Sequence, residues 1–257
     1  MALGLGNIRA TWAALPLELV AGTIFFAHGL QKLGNPAGFA GQAMGGIPVF
    51  LAYLVIAAEL GGGLLLLSGF LVRFGALCHF CVMAVAISQV HWGNGLIGPG
   101  SFEFPLSLLA VSIALLLLGP DPLSIDDNVG VSIYRSSDAA YRRESVDVGS
   151  PSVKAAGALL IIAGILLPIA RAYLGISEGV FPLVITIIIG LASVAAGAAL
   201  IGGKPWAYIP AFIMARLHLG ASVLLLFYIK YALRGMAALL ASLVMLTALR
   251  SARRGVK

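Results

Sequence analysis

Predominantly apolar positions in this chain recur in runs, most of them about twenty residues long, the length that crosses the hydrocarbon core of a bilayer. Eight such runs are read: Trp12 to Leu33, Ile47 to Phe70, Val72 to His91, Phe104 to Leu118, Val153 to Tyr173, Val180 to Ile201, Tyr208 to Tyr228 and Met236 to Leu249. A polar stretch from Gly119 to Ser152 separates the first four from the last four and holds most of the acids of the chain. It is too hydrophilic to cross lipid and too long for a turn, so it reads as a surface linker with some short amphipathic structure. The pattern predicts an all-α fold, a polytopic membrane bundle of about eight helices arranged as two four-helix units.

Composition agrees. Of 257 residues, 60% are hydrophobic and 10% charged, against about 25% charged in a soluble domain. Twelve of the 32 glycines lie inside the apolar runs, where small residues let membrane helices approach closely. The formal charge of +6 is not gathered into one basic stripe, which argues against nucleic-acid binding. Eight crossings put eleven Lys and Arg residues on the side of both termini and four on the other. The positive-inside rule then predicts a multi-pass protein of the plasma (inner) membrane with both termini cytoplasmic. The first run carries Glu18 and His28 and has no small-residue cleavage site, so it is expected to be a retained helix. The two cysteines, Cys78 and Cys81, exclude a disulfide-rich secreted fold. Further soft ligands are missing near them, so no metal site is expected.

Ionisable groups inside lipid each need a partner, a cavity or a role. Glu59 falls near the middle of the second run. His28, Gln31, Lys32, His91, Trp92 and Glu103 fall near the outer ends of the first, third and fourth runs. A four-helix bundle can gather these groups at one membrane face. The expected site is a polar pocket: His28, Glu59, His91 and Glu103 as catalytic, proton-handling groups, with Gln31, Lys32 and Trp92 binding a cofactor. Histidine titrates near neutrality and a buried glutamate can hold a raised pKa, so quinone reduction, which needs proton donors at two carbonyls, suits such a pocket. The bland alternative has Lys32, His91 and Glu103 reaching to the headgroups. Haem ligation needs two facing histidines at one depth, which His28 and His91 approach only roughly; haem is not expected. The pair Cys78 and Cys81 around His79 is read as small buried hydrophobes rather than a redox dithiol. Ala21-Gly22 and Leu33-Gly34 are echoed by Ala163-Gly164 and Leu174-Gly175, a weak sign of duplication in which His28 falls opposite Ala170.

Several segments together resemble the DoxX/DoxD family. They are Leu15-Pro16-Leu17-Glu18, Ile24 through Leu33, Ala58-Glu59-Leu60-Gly61-Gly62-Gly63, Arg73, Val90-His91, Phe102-Glu103-Phe104-Pro105 and Leu118 through Asp126. The resemblance covers roughly residues 1–126 and implies a four-helix membrane domain there. A polar cytoplasmic linker at 127–152 and a second four-helix membrane domain at 153–257 complete the expected organisation. Some members of the family are subunits of a thiosulfate:quinone oxidoreductase, and others are associated with redox stress or membrane-protein assembly. The resemblance therefore implies a membrane component of a quinone-linked oxidoreductase, with a reduced sulfur compound as donor and quinone as cofactor. Many relatives carry arginine where this chain has Glu18. The chain has no dinucleotide fingerprint, so an acceptor other than quinone would need a partner subunit. Other expected partners are the lipid bilayer and either further membrane subunits or a second copy. Two other readings stand beside this one: a non-catalytic scaffold docked through Gly/Ala-rich faces, and a small-solute transporter built on a repeat.

Overall fold

The computed structural model describes residues 10–42, 46–129, 147–173, 180–227 and 232–254. Helices fill every apolar run: α1 (Ala14–Leu33), α3 (Val49–Ser68), α4 (Val72–Val85), α5 (Glu103–Leu118), α7 (Pro151–Tyr173), α8 (Val180–Ile201), α9 (Tyr208–Phe227) and α10 (Ala232–Arg254). Two short helices, α2 (Pro36–Gln42) and α6 (Ile125–Val129), follow α1 and α5. Among the described residues four helical stretches are long and apolar enough to cross a membrane: Ala14–Leu33, Val49–Ser68, Val72–Asn94 and Pro151–Ile169. Their outward faces carry bare aliphatic side chains such as Leu54, Leu77, Ile165 and Ile169. Water would penalise that surface and lipid does not. The chain divides into two compact units, Met1–Ile133 and Tyr134–Lys257.

In the first unit the four long helices close a ring in which α1 packs on α3, α3 on α4, α4 on α5 and α5 on α1. Three successive glycines of α3 face three directions. Gly61 faces open space, Gly62 faces His79, and Gly63 faces α1, where an added Cβ would stand 2.6 Å from the Phe26 nitrogen and 2.8 Å from the Gly22 carbonyl oxygen. Glycine is what permits α1 and α3 to touch backbone to backbone. The second unit closes in the same neighbour order, α7 on α8, α8 on α9, α9 on α10 and α10 on α7. Its first two helices also cross at glycines: Gly164 against the Gly190 carbonyl and Gly157 against that of Gly197. Gly164 is the residue the sequence echo sets opposite Gly22, so the echo coincides with a shared crossing. These glycines lie inside the α7–α8 contact and are not docking faces.

The polar stretch after α5 differs from its sequence reading. Its middle, residues 130–146 with Arg135, Arg142 and Arg143, lies outside the described residues. Its beginning is no surface linker: Asp121, Leu123, Ser124, Ile125, Asp126 and Asn128 are all buried. The reason is hydrogen bonding, which lets polar groups leave water. The turn between α3 and α4 places Leu71 at φ 48°, a left-handed conformation costly for a side chain. Asp126 holds it, accepting hydrogen bonds from the Leu71 and Val72 amides at 2.9 Å each. Its own amide donates to the Gly69 carbonyl. Burial raises the Asp126 carboxyl above the usual carboxylate range, the two amides opposing this only in part. Asn128 donates to the Pro122 and Ser124 carbonyls. Glu18, fully buried on α1, accepts from the Asp121 amide at 2.8 Å. Asp126→Ala removes the anchor from the start of α4 and should lower stability by about 1–2 kcal/mol, the usual worth of such a cap. A thermal melt of the purified protein checks this.

Candidate functional site

The site begins where α1 and α3 approach most closely near the end of α1. A Cβ on Gly29 would lie 2.7 Å from the Leu60 nitrogen and 2.9 Å from its Cα. That contact sets the preceding residue of α3, Glu59, beside the next turn of α1, where Lys32 sits. The Lys32 ammonium donates to Glu59 Oε1 in an ion pair. Glu59 is 2% exposed and Lys32 21%. The Lys32 ammonium also stands 4.9 Å from the Phe39 ring centroid of α2, a favourable cation–π distance. The second carboxylate oxygen, Oε2, is buried and has no hydrogen-bond partner. A buried unmatched acceptor costs about 1–3 kcal/mol, so its retention calls for an explanation.

One turn deeper lies His79 on α4, fully buried. Its ring stacks on Phe25 of α1 with centroids 3.6 Å apart and planes within 7°. In the sequence His79 stands out only as part of the cysteine cluster. The signal that it faces inward was the glycine at position 62, which leaves room for an imidazole. Cys78 is half-buried and Cys81 exposed, both as free thiols. Among the described residues no group of three His, Cys, Asp or Glu is placed to hold a metal ion.

The remaining expected site residues sit elsewhere. His28 and Gln31 are exposed on α1. His91 ends a widened π turn, Ala86–His91, that continues α4. Its Nδ1 donates to the Gly100 carbonyl at 2.7 Å, and Asn94 Nδ2 donates to the same oxygen at 2.9 Å. Together they close the 92–102 loop. Trp92 is 67% exposed and stacks on Phe102, centroids 5.5 Å apart. Glu103 is exposed in the first turn of α5, where its charge complements the helix dipole. Of the expected pocket, the structure therefore brings Lys32 and Glu59 into contact, adds His79 and Phe39, and gives His91 a bond within the loop.

Residues 13–92 match the DoxX family model, a stretch that contains Lys32, Glu59 and His79. A Bacillus subtilis (strain 168) protein whose recorded name is "Putative oxidoreductase CatD" is 35% identical over 115 residues, covering 44% of this chain and 83% of that protein. No solved structure matches the chain.

Proposed function

Because this chain belongs to the DoxX family, we propose that its N-terminal unit is the membrane component of a quinone-linked oxidoreductase in which Glu59 is the proton-handling group. The oxidoreductase role draws on the recorded name of the Bacillus subtilis relative. The single observation that carries the proposal is the state of Glu59: buried, with one carboxylate oxygen on Lys32 and the other without a partner.

That donor set fits a quinone. Its two carbonyls accept hydrogen bonds, and its ring favours aromatic neighbours such as Phe39. A bound quinone supplies two-electron, two-proton redox chemistry. The residues of the chain do the rest. Lys32, 21% exposed, presents its ammonium at the edge of the site and pairs with Glu59 Oε1. Protonated at Oε2, Glu59 donates a hydrogen bond; deprotonated, it takes the proton back. Reduced sulfur compounds such as thiosulfate are the proposed donor class, on family resemblance. We place the protein in the plasma membrane with both termini cytoplasmic, on the distribution of Lys and Arg.

The test is turnover of purified full-length protein with a short-chain quinone analogue and thiosulfate or sulfide as donor. Positioned acid–base groups contribute about 10²-fold or more, so Glu59→Gln should lower turnover at least tenfold. His91→Ala, which opens the loop bond to Gly100, should act mainly on stability. Unchanged turnover in Glu59→Gln overturns the proposal.

A further inference from the structure

His79 is the buried titratable group that this reading leaves without a task. Neither of its ring nitrogens makes a hydrogen bond. The ring is held nonetheless: Phe25 covers its face, and an added Cβ on Gly62 would stand 2.7 Å from Nε2. Gly62 lies three residues beyond Glu59, so both project from one side of α3 a turn apart. Two buried groups set a turn apart along α3, Glu59 Oε2 and the His79 ring nitrogens, thus each lack a hydrogen-bond partner.

The second unit supplies an internal comparison. His218 on α9 is also buried on the third long helix of its bundle and turned toward the second. There Nε2 lies 3.0 Å from Ser193 Oγ of α8. That buried histidine is satisfied by a hydroxyl. At His79 the facing helix offers glycine instead.

We infer that Glu59 and His79 form a coupled acid–base pair in the membrane interior, the proton on Glu59 Oε2 passing to a ring nitrogen of His79 and back. The transfer breaks one O–H bond and makes one N–H bond, and no electrons move. It leaves a carboxylate on Lys32 beside an imidazolium. The inference rests on Glu59 as the proton-handling group and adds where its proton is held. Few other groups on the surrounding helices compete, among the described residues. On α1 these are Lys32, already on Glu59, Glu18, bonded to the Asp121 amide, and exposed His28. Tyr53 on α3 and Glu103 on α5 are exposed; on α4 itself stand half-buried Cys78 and exposed Cys81 and Arg73.

The experiment is an infrared pH titration of the full-length protein in lipid nanodiscs, with no quinone and no donor present. The Glu59 carboxyl band is identified as the one that Glu59→Gln removes. A cation on His79 favours the carboxylate, so removing it should let Glu59 protonate at lower acidity. Both His79→Gln and His79→Phe should move the Glu59 midpoint to a proton concentration at least tenfold lower; phenylalanine keeps the stack on Phe25. A shift in neither variant, or in only one, overturns the inference. Ring NMR of His79 in the unmodified protein and in Glu59→Gln reads the same coupling without touching His79, and an identical His79 titration in the two overturns it as well. Turnover is absent from every arm, so a null titration removes the coupled pair while a tenfold loss in Glu59→Gln turnover still supports the quinone reading, and the converse holds.

Discussion

Replacing Gly63 by leucine should prevent the N-terminal bundle from assembling, while the same replacement at Gly61, two residues away, should leave it folded. The two glycines share a helix, a lipid depth and an intrinsic propensity, so backbone preference cannot separate them. Their surroundings do. An added Cβ at Gly63 meets the Phe26 nitrogen, the Phe26 Cα and the Gly22 carbonyl oxygen, all within 3.0 Å. These are backbone atoms and cannot swing aside. One at Gly61 meets nothing within 4 Å. Overpacking a tight contact costs about 1–3 kcal/mol per modest insertion; Gly63→Ala should fall there and Gly63→Leu beyond it. Forcing α1 from α3 also separates Lys32 from Glu59, so site and fold should be lost together. Size-exclusion profiles and melts of the two variants in one detergent check the contrast.

Lys32→Met should destabilise the unit by about 3 kcal/mol, the range for removing one partner of a buried ion pair. Glu59 is 2% exposed, and without the ammonium it must either stay charged in lipid or take up a proton. The partial exposure of Lys32, and the freedom of Glu59 to protonate, place the cost at the lower end of that range. Combining Lys32→Met with Glu59→Gln removes the uncompensated charge and should recover most of the loss. A double-mutant cycle on unfolding free energies measures the coupling. Additive single effects would show that the pair contributes nothing.

Helix placement was legible because lipid enforces it: every long apolar run is a helix. The ends were less so. The last run reads as Met236 to Leu249, yet α10 extends over Ala232–Arg254, since helical hydrogen bonding does not stop where hydrophobicity does. Residues 121–128 misled for a related reason. Hydrophilicity predicts exposure, but Asp126 and Asn128 are buried on backbone partners that no periodicity reveals. At the site, Lys32 and Glu59 stood out singly as charges in apolar sequence, while their contact depends on Gly29 seated against Leu60. The expected pocket sets His28 beside Lys32. Relative to Gly29, Lys32 lies about 60° around α1 and His28 about 100°. A long lysine stem spans that offset and a short imidazole does not. His79 was passed over because its role comes from what surrounds it: Phe25 and Gly62 on two other helices.

An oxidised-minus-reduced infrared difference spectrum of the purified protein with a bound short-chain quinone tests the central claim most directly. If the free oxygen of Glu59 exchanges a proton as the quinone changes redox state, the spectrum contains a carboxylic-acid band that Glu59→Gln abolishes. Identical spectra from the two proteins, each with quinone bound, would contradict it.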